Sequence, residues 1–360
     1  MAKKHIIIVG GGIIGASFVY HLAVAGARVT LLDESSERGG VATPKSWAWI
    51  NASWGNPEAY FKLRQRSMAL WRGLDKAVAG LQPNWCGGLL WDLPEAELRD
   101  YVKQQSAWGY AIRLVDGAEA MRIEPNLAAA PALAAHAAEE GVVEPVHAVT
   151  SLLAAAERAG ADILQGARAV RLVESGDGIS GVMTEDGVLE ADEVVLAAGA
   201  ATPQILGNIG ITLKLDTPPG LLVFSEPAPE LLRGLVMAPE LHVRQRPDGS
   251  LIAGSDFGGM EPGDDADASA RTLFGKVQAH IRGAEKLDMA GYSIGHRPTP
   301  PDGVSAIGRI NGRKGLYVCV SHSGITLAPA LGGLGATEIL SGARDPLLSP
   351  FGPDRLVSLP

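Results

Sequence analysis

The chain has 360 residues, 46% of them hydrophobic and 20% charged, with a net charge of −9 and no basic block. That length holds two domains, or one large one with a sizeable core, and the acidic balance excludes nucleic acid as an expected partner. Cys86 and Cys319 are the two cysteines and have no C-x-x-C spacing, so no disulfide framework and no metal site is expected, and a reducing compartment is. No stretch reaches the ~20 apolar residues of a membrane span. The N-terminus enters a strand within five residues and leaves no room for a signal peptide, so a cytoplasmic protein is expected.

Residues 5–9 are a short apolar run, followed at once by Gly10-Gly11-Gly12-Ile13-Ile14-Gly15 and a helical stretch to Gly26. A second apolar run, 28–32, ends in Asp33, with Glu34 beside it. Strand, glycine turn, helix, strand and acid come in the order a dinucleotide site needs. Gly10 permits the tight turn, Gly12 lets the backbone approach a pyrophosphate, and Gly15 lets the helix pack close to the sheet. The pyrophosphate would sit on the N–H groups of the helix N-terminus, and Asp33 would accept from an adenosine ribose. Without a ligand, the same string is only a glycine-rich strand-to-helix turn.

Residues 38–56 read as a loop containing glycine, serine and tryptophan. Residues 57–78 read as an amphipathic helix, apolar at Tyr60, Leu63, Met68, Leu70, Trp71 and Leu74, with Lys62, Arg64, Arg66 and Arg72 between. Residues 81–135 look mixed, with short strands around 88–92. A helix is expected over 148–159 and strands over 161–164, 169–174, 179–184 and 193–198. Residues 207–297 alternate apolar and polar positions as an antiparallel sheet does, with strands at 221–225, 241–245 and 251–254 and a helix at 268–281. A buried strand at 316–320, a loop and a helix over 325–340 close the chain. Nucleotide-type pieces thus lie at the beginning, middle and end with sheet-type pieces between them, which suggests two interleaved domains.

Three further segments carry chemistry. Residues 191–200 are a strand running into the small turn Ala198-Gly199, where backbone can approach a ligand. Arg297 precedes Pro298 in the stretch 295–303 and offers a bidentate fork to a carboxylate, although an arginine beside a turn is more often a surface residue. Residues 321–329 join a strand to the last helix, whose N-terminus offers N–H donors and partial positive charge; the plainer alternative is a loop with Ser323 as N-cap. No second G-x-G-x-x-G joins a strand to a helix as an NAD(P)H site would need, and there is no paired redox cysteine. Trp47, Trp49 and Trp54 either wall a cavity or pack at a domain interface.

Taken in order, these segments resemble the D-amino acid oxidase superfamily, in particular its glycine oxidase and sarcosine oxidase branch. The resemblance rests on 9–15 with Asp33, 39–43, 56–61, 141–145, 194–199, 295–303 and 322–329. It implies a mixed α/β fold: an FAD-binding Rossmann-like domain of the glutathione-reductase type (1–80, 136–206 and 298–360) interleaved with an antiparallel-sheet substrate domain (81–135 and 207–297). It implies oxidation of the C–N bond of a small amino acid or N-substituted amino acid, with FAD accepting a hydride and oxygen or another acceptor reoxidising it. The resemblance places Arg297 at the substrate carboxylate. His242 falls where several members carry a tyrosine, and His322 where glycine oxidase-like enzymes place an arginine. Thr43 and Ser46 fall in the loop around the FAD phosphates and ribityl chain, and Ser323, Gly324, Ile325 and Thr326 near the flavin pyrimidine. The stretch after Arg297 holds no cysteine, so the FAD is expected to be noncovalent. Two alternatives stay open: an amine or opine dehydrogenase subunit passing electrons to a non-oxygen acceptor, and a non-catalytic flavin-binding subunit of an oxidase complex. A homo- or hetero-oligomer is compatible with either.

Overall fold

The computed structural model describes residues 3–53, 57–255 and 262–359; Trp54 and Asn56 lie outside the described residues. The first apolar run forms the strand His5–Val9 inside a six-stranded sheet. Its order is Ala306–Arg309, Leu316–Val320, Glu193–Leu196, His5–Val9, Arg28–Asp33 and Asp162–Gln165. The pairs from Leu316–Val320 to Asp162–Gln165 are parallel, and the edge strand Ala306–Arg309 is antiparallel.

Both faces of this sheet are covered, which explains the unbroken apolar run. Ile6 and Ile8 pack into a core with Phe18, Val19 and Leu22 of the helix Ile13–Val24 and with Leu327 and Leu331 of the helix Gly324–Ser341. Ile7 and Val9, pointing the other way, pack with Leu172, Ile179 and Val182 of a three-stranded antiparallel sheet. The first and last helices touch closely. Ser17 Oγ donates to Ala328 O at 2.7 Å, and a Cβ on Gly332 would lie 2.2 Å from that hydroxyl.

The second sheet has eight strands in the order Met289–His296, Pro219–Ser225, Leu251–Gly254, Leu241–Gln245, Leu235–Ala238, Gly88–Leu90, Leu133–Ala137 and Ile112–Asp116. It is antiparallel except at the seam between Leu235–Ala238 and Gly88–Leu90, where two separate chain segments meet in parallel. The helix Ala266–His280 covers one face through Leu273, Phe274 and Val277, packed on residues such as Val223, Val243 and Leu251.

Several elements differ from expectation. Residues 81–135 contain the helices Glu95–Ala107 and Gly117–Ile123. The first buries only Leu98, Val102 and Gln105, a stripe too thin to read from the sequence. The strands Leu235–Ala238, Met289–His296 and Ala306–Arg309 were also unread. Leu133–Ala137 runs across the boundary expected at 136. Arg64, which looks like part of the solvent face of the helix Glu58–Ala77, is buried. Among the described residues, no helix is long and apolar enough to cross a membrane.

Candidate functional site

A cavity of about 680 Å³ is lined by elements of both large sheets. Every site residue singled out from the sequence lines it except Gly15. A Cβ at Gly15 would lie 1.9 Å from Gly10 O, so this glycine closes the turn from behind and does not face a ligand.

At one end lies the glycine turn. Gly10 has φ +107°, and a Cβ there would lie 2.5 Å from Ala197 O, beside Ala198 and Gly199 of the cavity wall. Gly12 is the N-cap of the first helix and provides no side-chain cap, and there is no acid in the first turn. Thr43 Oγ1 accepts from Ile13 N–H at 3.1 Å, and Ile14 completes this wall. Thr43 takes one of the terminal N–H groups, and the others, with no acid beside them, suit an anion.

Asp33 is buried at the end of the second strand. Its Oδ1 accepts from Ser35 N–H at 3.2 Å, and its Oδ2 has no hydrogen-bond partner among the described residues. Burial raises its pKa above the ordinary carboxylate range. A buried, unsatisfied acceptor beside that helix N-terminus is what a ribose hydroxyl next to a pyrophosphate would complete. The residues present therefore fit a dinucleotide. Glu34 lies 3.8 Å from Arg168 Nε, and both line the same end. Residues 167–170, in and before the strand expected at 169–174, were not singled out as a site.

The loop after the second strand spans the middle. Ser46 Oγ accepts from Ala48 N–H at 3.0 Å, holding Ala48 at φ +65°. Trp47 O accepts from Arg244 Nε at 2.7 Å, and Trp47 Nε1 donates to Ile252 O at 3.3 Å, so the loop is tied to the second sheet. Trp47 and Trp49 both wall the cavity and pack at the junction of the two sheets. Trp49 Nε1, Ser53 Oγ and Tyr110 OH all donate to the fully buried Glu140, at 2.9, 2.5 and 2.7 Å. Burial pushes the Glu140 carboxyl up to about 7. Glu140 lies in Glu139-Glu140-Gly141, which reads as a surface turn, so sequence reasoning missed it.

The last helix begins beside the start of the first. Thr326 Oγ1 donates to Trp49 O at 2.9 Å and accepts from Asn51 N–H at 3.3 Å. Gly324 and Ile325 lie beside it, and a Cβ on Gly324 would lie 3.5 Å from Ile14. Ser323 is the N-cap by position, yet its side chain makes no cap hydrogen bond. Its hydroxyl instead meets His322 Nδ1 at 3.1 Å and the guanidinium of Arg64. His322 Nε2 donates to Gly303 O at 2.8 Å. Burial, then the charge of Arg64, pushes this imidazole down to about 4, so it is neutral near pH 7. Both of its nitrogens are engaged by protein.

The second sheet supplies the remaining wall through Leu222, His242 and Gly254. His242 pairs in register with Gly254, is buried, and places Nε2 3.1 Å from Asp92 Oδ2. Asp92 was not singled out from the sequence; the register of two separated segments brings it there. Arg297 enters at the junction, with its backbone N–H on Pro218 O at 3.1 Å and its carbonyl accepting from Thr299 Oγ1 at 3.1 Å. Neither thiol is poised to react: burial raises Cys86 to about 11 and raises Cys319 as well.

The model of the FAD dependent oxidoreductase (DAO) family matches residues 5–337. Glycine oxidase of Pseudomonas putida is 29% identical over 97% of each chain. Among solved structures, glycine oxidase from Geobacillus kaustophilus superposes with a TM-score of 0.88 at 24% identity, covering 98% of this chain and 99% of that one. L-proline dehydrogenase from P. horikoshii superposes with the same TM-score of 0.88 at 24% identity, covering 98% and 97%.

Proposed function

The chain belongs to the DAO family of FAD-dependent oxidoreductases, and from that premise we propose that it oxidises the C–N bond of a small amino acid or N-substituted amino acid. The observation that carries this reading is the continuous cavity. It joins a glycine turn and a buried, unsatisfied Asp33 to a wall holding Arg297 and the His242–Asp92 pair. Glycine oxidase of Pseudomonas putida, similar over 97% of its length, has a name that fits that chemistry.

In this reading Gly10, Gly12, Ile13 and Ile14 hold the pyrophosphate, Asp33 the ribose, and Thr43 and Ser46 the connecting chain. Ala198 and Gly199 let the backbone lie close to the cofactor. Bound FAD supplies the two-electron acceptor. Arg297 holds the substrate carboxylate by a bidentate pair and so fixes the position of the Cα–H bond. His242, steadied by Asp92, forms the wall beside that carboxylate. Because His322 is engaged on both nitrogens, it holds the Gly303 loop against the last helix rather than meeting substrate. The substrate nitrogen reacts as the free amine, and the product imine hydrolyses to an oxo acid and ammonia or an amine. Oxygen or another acceptor takes the electrons.

With the strand Leu133–Ala137 kept in the eight-stranded sheet, the segments 1–80, 138–206 and 298–360 form the cofactor unit, and 81–137 with 207–297 the substrate unit. A reducing, cytoplasmic setting accords with two free cysteines.

Anaerobic bleaching of the flavin near ~450 nm against D- and L-amino acids, N-methyl amino acids and opines tests the reading. Bleaching by members of one such class is expected. A flavin that none of them bleaches would remove the enzymatic assignment. Rapid bleaching followed by slow recovery in air would point to an acceptor other than oxygen.

A further inference from the structure

We propose that Arg64 is the electrostatic element of the redox end of this cavity: its buried guanidinium stabilises the negative charge that the flavin ring gains on reduction. The proposal rests on FAD occupying the cavity, and it assigns a charge to a residue that has none of the marks of a site residue in the sequence.

Arg64 is 6% exposed, on the helix Glu58–Ala77. Its guanidinium donates to Asn51 Oδ1 at 2.8 Å, to Ser53 O at 3.0 Å and to Ser323 Oγ. All three acceptors are neutral. Its Nε–H is buried with no partner among the described residues. Glu140 acts on it only through space, and the Tyr60 ring lies 5.2 Å from its guanidinium carbon. A buried cation with no carboxylate bonded to it costs several kcal/mol. A cavity wall that keeps one implies that the balancing anion arrives with the ligand.

The ligand offers three anionic places. The pyrophosphate belongs to the N–H groups of the glycine turn, and the substrate carboxylate to Arg297 beside the second sheet. Arg64, Asn51 and Ser323 belong instead to the elements at the start of the last helix, which leaves the flavin ring.

The hydrogen bonds around Ser323 have a fixed direction. Gly303 O can only accept, so His322 carries its proton on Nε2 and presents Nδ1 as an acceptor. Ser323 Oγ–H then donates to Nδ1, and its lone pairs face Arg64. The cation is thus held at the helix N-terminus, where its charge and the helix field have the same sign.

The test uses the FAD-loaded protein and its Arg64→Met, Arg64→Gln and Arg64→Lys variants. The readouts are the dissociation constant for sulfite, which bleaches a flavin whose ring accepts negative charge, and the midpoint potential against a reference dye. Arg64→Met and Arg64→Gln should each weaken sulfite by about tenfold or more, with the potential falling ~30 mV per tenfold. Arg64→Lys should lose clearly less than the neutral variants, because it keeps the charge while giving up the guanidinium fork. If Arg64→Lys falls as far as the neutral variants, packing and not charge is responsible, and the proposal is overturned. It is also overturned if sulfite binding and potential hold steady in the neutral variants while the affinity for acetate, a carboxylate probe, drops. A protein that takes up no FAD would overturn the functional reading itself, a result distinguishable from both.

Discussion

Replacing Glu140 by glutamine removes a buried titrating group and keeps its shape. In the parent protein the carboxyl accepts from Ser53, Tyr110 and Trp49, and burial moves its pKa from an ordinary value of 4.5 to about 7. The folded protein therefore holds a proton that the unfolded chain has already released between those two values. Stability carried by this group is complete below the unfolded pKa and is lost as pH rises through the folded one. The shift corresponds to about 3 kcal/mol, spread over that window and flat above it. The Glu140→Gln variant has no such proton to lose. It has a constant penalty instead, because its amide N–H group faces the Trp49 indole N–H, two donors without an acceptor, at about 1–3 kcal/mol. The variant should be the less stable protein near about pH 5 and should close the gap near about pH 8. Urea unfolding of FAD-saturated protein at fixed ionic strength, across that range, measures both. Subtracting one protein from the other cancels the remaining titrating groups. A difference constant to within about 0.5 kcal/mol would refute the reasoning, as would a gap that widens with pH.

Arg297→Ala should weaken carboxylate ligands by about a hundredfold or more, the scale of a lost charged hydrogen-bond pair, and leave FAD affinity unchanged; equal losses in titrations of both ligands would remove its assigned role. Asp33→Ala should weaken FAD by about tenfold without reordering the substrates, and the FAD-free protein should gain stability, because a buried carboxyl with an unsatisfied oxygen is gone. A changed substrate order with intact FAD affinity would contradict that. Gly15→Ala should cost more than about 3 kcal/mol in a denaturant titration, since its Cβ would strike the Gly10 carbonyl. Acid precipitation should release all the flavin into the supernatant; a yellow pellet would show a covalent bond that neither cysteine, both outside the cavity lining, is placed to make.

The strands His5–Val9, Leu241–Gln245, Leu251–Gly254 and Leu316–Val320 were readable to the residue, because β-branched and leucine runs end at glycine or polar turns. Leu235–Ala238 was hidden: four buried residues just before Pro239 are too short to show a period. The glycine turn and the Arg297 loop were legible because backbone conformation limits which residues can stand there. Arg64 was not, since between Lys62 and Arg66 it has the spacing of a solvent face and only the packing of Asn51 and Ser323 against it reverses that meaning. Asp92 escaped for a different reason. Its partner His242 lies 150 positions away, and only the parallel seam of the second sheet fixes their encounter.

The glycine turn near the start of the chain shares its cavity with residues 321–326, and the strand His5–Val9 has Glu193–Leu196 as a neighbour. Nothing made early in synthesis can hold the cofactor alone. Vitamin capture is consequently a late event, coupled to closure of the last helix onto the first. In cells short of riboflavin, this chain would accumulate as an incompletely docked species exposed to proteases, so the supply of the vitamin would set how much of the protein survives.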